Sequence, residues 1–299
     1  MSKKQVFLAR LFSTVILWGL VLGAIISGSE AGVAAVICGL GIVGLSEYYA
    51  AFARKQIPVF RQVGIFGGVL VIFGTFATLS QMGHAVGGPF ASRVYDFETA
   101  ALLLCIVAVF VRQMFERTRE TIALQTMAYT FFGIVYVAWL FSFCTKLLYL
   151  PPRDPSAHIT GHWFILYLCV VSKFSDMGAY LTGSLIGKHP MIPHISPNKT
   201  WEGFCGAFVF STGGSLLLGK LLSSQYAILN VPDLLVLGLG LGLTAVVGDL
   251  AESIFKRSLE LKDSGRLLPG IGGALDLIDS ILFTAPLLFF YLRLVKHLP

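Results

Sequence analysis

Charge is scarce in this sequence. Asp, Glu, Lys and Arg make up 13% of the 299 residues, whereas soluble globular domains carry about 25%. Hydrophobic residues make up 56%, and apolar runs recur along the whole chain. Runs of about 20 residues are long enough to cross a hydrocarbon core as helices. The composition therefore excludes an ordinary soluble enzyme and predicts an all-α, polytopic integral membrane protein.

Cysteine is also scarce, and it is spread out. The five cysteines lie singly inside apolar runs, without a CxxC pair. This spacing gives neither a disulfide framework nor a zinc site, both of which need closely spaced ligands. We interpret the cysteines as small buried side chains. Internal repeats, which are typical of many transporters, are not visible either.

About nine transmembrane helices account for the apolar runs. The predicted spans are 6–26, 31–52, 63–82, 99–115, 124–150, 161–187, 203–223, 231–255 and 273–295. We expect residues 1–155 to form an N-terminal scaffold of helices and residues 156–299 to carry the active site. Small residues at helix spacing, such as Gly19 with Gly23 and the 238–242 run GLGLG, predict close helix–helix contacts.

Basic residues fall unevenly on the two ends of these spans. Fifteen of the 22 lysines and arginines lie at the N-terminus and in the even-numbered connections, and six lie in the odd-numbered connections and at the C-terminus. The positive-inside rule then places the N-terminus and the charged stretch 253–280 on the cytoplasmic side. We expect a multi-pass protein of the inner (cytoplasmic) membrane, and the net charge of +6 suits an anionic lipid surface.

Two polar clusters interrupt the apolar pattern near the sixth span. Lys173 and Asp176 lie on one helix face inside that span, where ionisable side chains normally face a polar interior; a purely structural ion pair is the alternative. In the connection that follows, GKHPMIPHISPNKTWEG, prolines exclude regular helix. Its polar residues can bind phosphate or ribose, namely Ser196, Asn198, Lys199, Thr200 and Glu202.

A third cluster surrounds the 253–280 stretch. Asp249, Glu252, Ser253 and Lys256 share one face of a helix, and Asp276 with Asp279 shares a face of the next. Carboxylates near a membrane boundary need cations close by. Carboxylates and water suit Mg²⁺, which takes substrate phosphates as further ligands, and glycine backbone N–H groups beside lysines and arginines suit a polyphosphate. A salt-bridged cytoplasmic loop is the alternative.

These residues resemble the signature of the phosphatidate cytidylyltransferase (CDP-diacylglycerol synthase) family. Three stretches match in order over about the last 125 residues, whereas the first half matches only in general character. The matching stretches are Ser175-Asp176-Met177-Gly178-Ala179-Tyr180, then Ser196-Pro197-Asn198-Lys199-Thr200-Trp201-Glu202-Gly203, then Ser253, Lys256-Arg257, Lys262-Asp263, Pro269-Gly270-Ile271-Gly272-Gly273 and Asp276 with Asp279. Family members commonly carry His at position 271 and Arg at position 277, where this chain has Ile and Leu.

The resemblance implies that CTP and phosphatidic acid react to CDP-diacylglycerol and pyrophosphate. It implies Mg²⁺ as cofactor, with Asp249, Asp276 and Asp279 as ligands and room for a second cation. Catalytic roles are expected for Asp176, Lys199, Lys256 and Asp279. Substrate contacts are expected for Ser196, Asn198, Lys199, Thr200, Glu202, Ser253, Arg257, Lys262, Asp263, Gly270, Gly272 and Gly273.

The resemblance also implies the partners of the chain. They are CTP, phosphatidic acid and the lipid bilayer, with a homodimer as the expected assembly and no nucleic acid. A CTP-dependent kinase of a lipid alcohol is an alternative, because it would need the same nucleotide, metal and lipid. A transporter is a weaker alternative, since Lys173 and Asp176 would also suit an ion path.

Overall fold

The computed structural model describes residues 3–82, 90–117, 121–150, 160–261, 263–265 and 272–298. Its α-helices are α1 Lys3–Ile26, α2 Glu30–Arg54, α3 Arg61–Met82, α4 Phe90–Met114, α5 Thr121–Gly133, α6 Leu140–Tyr149, α7 Gly161–Ile186, α8 Trp201–Leu221, α9 Val231–Ser258 and α10 Ala274–Leu294. A π-helical segment, Ile134–Trp139, joins α5 to α6. Two short antiparallel strands, β1 Pro190–Ile192 and β2 Ser196–Thr200, lie between α7 and α8.

The helices agree with the spans predicted from the sequence. Eight described helical segments are long and apolar enough to cross a membrane, and α5, the π-helical segment and α6 together form one of them. The remaining predicted span, 6–26, falls on α1, whose side chains are described only in part. The prediction of an all-α polytopic membrane protein is confirmed. The expected boundary at residue 155 lies outside the described residues, so the division into scaffold and site stays a prediction.

Side-chain caps set where the helices of the C-terminal half begin. Thr200 Oγ1 accepts a hydrogen bond from the Gly203 N–H at 3.1 Å, which starts α8 at the end of strand β2. Asn230 and Asp233 form a reciprocal capping box at the start of α9. Tyr291 and Lys296 also bind the Asp233 carboxylate, at 2.7 and 2.8 Å. The start of α9 is thereby tied to the end of α10.

Glycines bring α7, α8 and α9 close together. A Cβ atom at Gly178 would lie 2.5 Å from the Gly206 carbonyl oxygen, and one at Gly238 would lie 2.6 Å from the Thr212 Cα. Both contacts are too close for any side chain, so these helices need glycine there. The contact predicted for the 238–242 run is therefore confirmed. The prediction for Gly19 and Gly23 is wrong within the described structure, because no described atom would lie within 4 Å of a Cβ at either position.

Helix α10 lies at the centre of the bundle. It contacts α2, α6, α7 and α9, and its buried side chains include Leu275, Ile278, Leu282 and Leu288. Since α10 carries Asp276 and Asp279 at its first turns, the position of these acids depends on helices from both halves of the chain.

A second buried polar network lies in the N-terminal half. Lys146 Nζ contacts Glu98 Oε2 at 2.7 Å, and both side chains are almost fully buried. Thr75 and Trp139 donate further hydrogen bonds to the Glu98 carboxylate, at 3.0 and 3.2 Å. A charge pair buried in this way is stable only when its partners are also hydrogen-bonded, so we interpret the network as a structural tie between α3, α4 and α6.

Candidate active site

A polar pocket opens between α7, the β1–β2 hairpin, α8 and α9. Its volume is about 330 Å³. Its wall combines aromatic and apolar side chains, such as Tyr180 and Phe204, with polar side chains and with charges from three different elements. Six residues predicted from the sequence line it: Asp176, Ser196, Asn198, Lys199, Thr200 and Asp249. The hairpin explains how the proline-rich connection can contribute, because β2 places its polar residues over the ends of the helices.

Three carboxylates meet beside this pocket. Oxygen atoms of Asp249, Glu252 and Asp279 all lie within 4.8 Å of one another. Glu252 and Asp279 are buried, with 1% and 7% of their surface exposed. Asp249 and Asp279 are predicted metal ligands that the fold brings together. The sequence places Glu252 on the same helix face as Asp249, but its spacing alone does not distinguish a ligand from a neighbour.

The carboxylate cluster fits a divalent cation. One oxygen of Glu252, Oε1, is buried and has no hydrogen-bond partner among the described residues. Three acids this close repel one another unless a positive charge lies near them or one of them takes up a proton. Oxygen ligands of this kind are those that Mg²⁺ prefers, together with water and substrate phosphates. The donor set thus agrees with the cofactor expected from the sequence, whose binding stays a proposal.

Lysines from separate elements contact these acids. Lys199 Nζ of strand β2 lies 2.8 Å from Asp249 Oδ2. Lys256 Nζ lies 2.5 Å from Glu252 and 3.0 Å from Asp276. Each predicted catalytic lysine is therefore held beside the carboxylate cluster, where a phosphate group would meet positive charge.

The predicted pair within α7 is also formed. Lys173 Nζ contacts Asp176 Oδ2 at 2.9 Å, at i and i+3 of the helix. Asp176 faces the polar pocket, and its side chain is 36% exposed. Asp176 is therefore part of the pocket wall, and the pair is more exposed than the enclosed pair of Lys146 and Glu98.

Asp276 has a different environment from the other acids. Its oxygens accept hydrogen bonds from the Gly273 N–H at 2.7 Å and from Ser264 Oγ at 2.8 Å, besides the contact with Lys256. These bonds cap α10 and hold the preceding loop against the helix. Among the described residues, Asp276 therefore lies next to the cluster of Asp249, Glu252 and Asp279. Its oxygens are not part of the group that lies within 4.8 Å. Its role as a metal ligand stays a prediction.

The glycines before α10 are required by close contacts. Gly272 has φ of +123°, a conformation that side-chain-bearing residues rarely adopt. A Cβ at Gly272 would also lie 2.7 Å from Asp276 Oδ2, and one at Gly273 would lie 2.6 Å from Ser264 Oγ. The two glycines thus allow the loop to fold onto Asp276. Contact with a substrate stays a prediction for both.

Other predicted substrate residues hold the hairpin. Glu202 accepts hydrogen bonds from the backbone N–H groups of Lys188 and His189, and contacts the His189 ring at 2.6 Å. Arg257 Nε donates to the Ile195 carbonyl oxygen at 3.3 Å. Their contacts fix the hairpin that covers the pocket, so substrate binding by either residue stays a prediction.

The remaining predicted substrate residues lie on α9 and in the loop before α10. Ser253 is half-buried on α9 beside Glu252, and Asp263 is exposed. Lys262, Gly270 and the unusual Ile271 lie outside the described residues. Nothing in the structure tests a substrate contact for any of these positions.

Residues from α2 also reach the site, which the sequence analysis did not predict. Glu47 Oε2 accepts a hydrogen bond from the Leu275 N–H at 3.0 Å, in the first turn of α10. Arg54 donates to the Ser264 carbonyl oxygen at 3.2 Å, and Lys55 pairs with Glu260 at 2.8 Å. The signal for Glu47 was present, because an acid inside an apolar span usually has a functional or structural partner.

Comparisons with known proteins show which family this chain belongs to. A model of the Cytidylyltransferase family matches residues 8–295. The chain is 36% identical to the uncharacterized protein YnbB of Escherichia coli, over 57% of this chain and 55% of that protein. It is 38% identical to the phosphatidate cytidylyltransferase of Bacillus subtilis, over 65% and 66%. It is 31% identical to that of Chlamydia pneumoniae, over 86% and 80%.

The extent of these matches differs between relatives. The alignment covers about half of the Escherichia coli protein's length and about two thirds of the Bacillus subtilis enzyme's, but most of the Chlamydia pneumoniae enzyme. The family match, by contrast, runs through nearly all ten helices. This chain belongs to the cytidylyltransferase family.

Proposed function

We propose that the protein transfers a cytidylyl group from CTP to phosphatidic acid, which gives CDP-diacylglycerol and pyrophosphate for phospholipid synthesis. The observation that carries the proposal is the cluster of Asp249, Glu252 and Asp279 beside a polar pocket in the helical bundle. Membership of the cytidylyltransferase family and the names of the two enzymes above support it.

The reaction joins two phosphates. An oxygen of the lipid phosphate attacks the α-phosphorus of CTP, the bond to the β-phosphate oxygen breaks, and pyrophosphate leaves. The second pKa of a phosphate monoester is about 6, so the attacking oxygen is already ionised at neutral pH. A protein base is therefore not required, which agrees with Ile271 at the position where relatives commonly carry His.

Catalysis in such transfers is mainly positioning and charge neutralisation. Asp249, Glu252 and Asp279 would hold Mg²⁺, with Asp276 next to them, and the ion would neutralise charge on the triphosphate. Lys199 and Lys256 now contact carboxylates of the site, and each could release its carboxylate and bind a phosphate oxygen instead. Polar groups of strand β2, from Ser196 to Thr200, would bind the nucleotide on the pocket side.

The bilayer setting completes the proposal. We place the site at the cytoplasmic face of an inner membrane, where CTP is available, on the basis of the uneven distribution of basic residues. Phosphatidic acid would enter sideways from the bilayer, so its acyl tails stay in an apolar environment. A homodimer stays an expectation from the family resemblance.

Product analysis tests the proposal. In lipid nanodiscs and with Mg²⁺ present, the purified protein should convert CTP and phosphatidic acid to CDP-diacylglycerol and pyrophosphate, identified by mass spectrometry. The Asp279→Asn variant should form at least a hundredfold less product, a loss of the size seen when one charge-stabilising group is removed from an active site. In parallel nanodiscs that contain diacylglycerol and no phosphatidic acid, transfer of the γ-phosphate of CTP to diacylglycerol would instead indicate a lipid-alcohol kinase.

A further inference from the structure

A second, larger cavity lies on the opposite side of α9 from the polar pocket. This groove has a volume of about 860 Å³, within the range of about 300–1,000 Å³ typical of small-molecule sites. Its wall is almost entirely apolar and comes mainly from α2, α5, the π-helical segment and α9, with one residue each from α6 and α10. Representative lining residues are Phe52, Tyr129, Phe132, Tyr136, Ile254 and Phe255. Phe132 and Ile254 are about half exposed, so the groove opens to the side, towards the surrounding lipid.

The groove and the polar pocket are joined by the charged face of α9. Each residue of a helix is rotated by about 100° around the helix axis relative to the one before it. If the direction of Asp249 is set to 0°, the groove residues of α9 from Ala251 to Ser258 point to about 140–240° around the axis. Glu252 and Lys256 lie at about 300–340°, and Val246, in the polar pocket, lies at about 60°. The carboxylate and lysine sector is therefore next to the groove on one side and next to the polar pocket on the other.

One polar group stands out in this apolar wall. Tyr136 is 95% buried, and its hydroxyl has no hydrogen-bond partner among the described residues. Its ring packs edge-on against Phe283, with centroids 6.2 Å apart. Phe283 is one helical turn beyond Asp279 on α10, and the Tyr136 phenol interacts electrostatically with Glu252 and Asp279. Tyr136 therefore lies at the end of the groove that meets the carboxylate cluster. A buried hydroxyl without a partner is costly, which indicates that a ligand supplies the acceptor.

We propose that this groove holds an acyl chain of the phosphatidic acid substrate and that the Tyr136 hydroxyl donates a hydrogen bond to an oxygen of the lipid head. The inference rests on the proposed function. The head would meet Lys256 and the carboxylate cluster, and the tail would run past Tyr136 towards Leu140, away from the cytoplasmic end of α9. CTP would approach from the polar pocket. Because bilayer tails are as apolar as the groove, the groove aligns the lipid for in-line attack and adds little affinity of its own.

The first test removes only the hydroxyl. Tyr136→Phe should lower kcat/KM for phosphatidic acid about threefold to tenfold, the effect of one lost hydrogen bond. It should leave KM for CTP unchanged, and it should not raise the unfolding temperature when phosphatidic acid is bound. If the hydroxyl is only an unpaired structural group, its removal should leave kcat/KM unchanged and raise the unfolding temperature. That result would overturn the role of Tyr136.

The second test fills the groove. Ala128 lies exposed in the groove wall on α5, so Ala128→Trp should obstruct the tail without disturbing the core. We expect kcat/KM for phosphatidic acid to fall at least fivefold, with KM for CTP unchanged. Ala100→Trp, at an exposed position on α4 outside the groove, is the matched control and should behave as wild type. Equal kinetics for the two tryptophan variants would overturn the groove as the tail site.

The third test measures binding and needs no turnover. Phosphatidic acid with a diazirine on one acyl chain should crosslink to peptides of α5 and α9 in the wild-type protein, and less to Ala128→Trp. Equal crosslinking by a phosphatidylcholine probe would show that any bilayer lipid fills the groove and would overturn the proposal. A wild-type protein that crosslinks phosphatidic acid but forms no CDP-lipid would contradict the proposed reaction alone and still support the groove.

Discussion

At the residue scale, the site consists of acids that look alike in sequence and differ in their contacts. Asp249, Glu252 and Asp279 face one another, whereas Asp276 is engaged by Gly273, Ser264 and Lys256. The sequence could predict that these acids gather, because each pair has helical spacing. It could not assign partners, since these depend on how the loop before α10 folds onto that helix.

We predict that substitutions of these acids differ in their effect on metal affinity. Asp249→Asn and Asp279→Asn should weaken the binding of Mn²⁺, in the presence of CTP, at least tenfold, because each removes a charged ligand of the proposed site. All three variants should lose turnover. In Asp276→Asn the loss should come mainly from a loosened loop before α10, so the Mn²⁺ affinity of this variant should change less. Electron paramagnetic resonance of free Mn²⁺ measures this without requiring activity.

Asp96→Asn, at an exposed position on α4, is the control for the metal titration and should bind Mn²⁺ as wild type does. Unchanged binding in Asp249→Asn and Asp279→Asn would contradict their role as ligands. A loss in Asp276→Asn as large as theirs would show that Asp276 is a ligand, as its motif predicts.

At the element scale, α2 holds the start of α10. Glu47 receives the Leu275 N–H, and Arg54 binds the loop through the Ser264 carbonyl oxygen. An anion at a helix N-terminus is favoured by the helix dipole as well as by the hydrogen bond. A helix from the predicted scaffold therefore orients the helix that carries Asp279.

We predict that Glu47→Gln lowers the free energy of unfolding by about 1.5–3 kcal/mol, the range for a hydrogen bond to a charged group. It should reduce kcat while leaving the KM values for both substrates nearly unchanged, because Glu47 contacts the helix and lines neither cavity. Unfolding in detergent micelles and steady-state kinetics check the two effects. A variant with wild-type stability and kcat would contradict the positioning role.

The buried pair in the N-terminal half gives a second prediction at this scale. Lys146→Met should cost about 3–5 kcal/mol, because it leaves the Glu98 carboxylate buried without its cation. The double variant Lys146→Met with Glu98→Leu should recover most of that loss. Lys220→Met, at an exposed position of α8, should be nearly neutral. A single variant as stable as the double would contradict the assignment of the pair as a structural tie.

At the scale of the whole molecule, the hydrophobic pattern of the sequence is enough to predict most of the fold. Apolar runs separated by charged connections predict helices and their order, because backbone groups in a bilayer must pair within helices. The hairpin of β1 and β2, the contacts of Glu47 and the groove beside Tyr136 could not be predicted in this way. Each depends on which helices become neighbours, and a single sequence does not contain that information.

Orientation in the membrane is the prediction that belongs to the whole chain. Asp263→Cys in a cysteine-free variant places a thiol at an exposed position of the loop before α10. An impermeant maleimide should label it only from the cytoplasmic side, because the basic residues concentrate there. Labelling of intact cells from outside would contradict the orientation and the access of CTP to the site.

The central claim is that the α-phosphate of CTP moves to the lipid. Two preparations of CTP, one labelled with ³²P at the α-phosphate and one at the γ-phosphate, can be incubated with the purified protein, phosphatidic acid and Mg²⁺. We expect the α-label in the lipid fraction and the γ-label in pyrophosphate. A γ-label in the lipid fraction, or no label in lipid from either preparation, would contradict this claim.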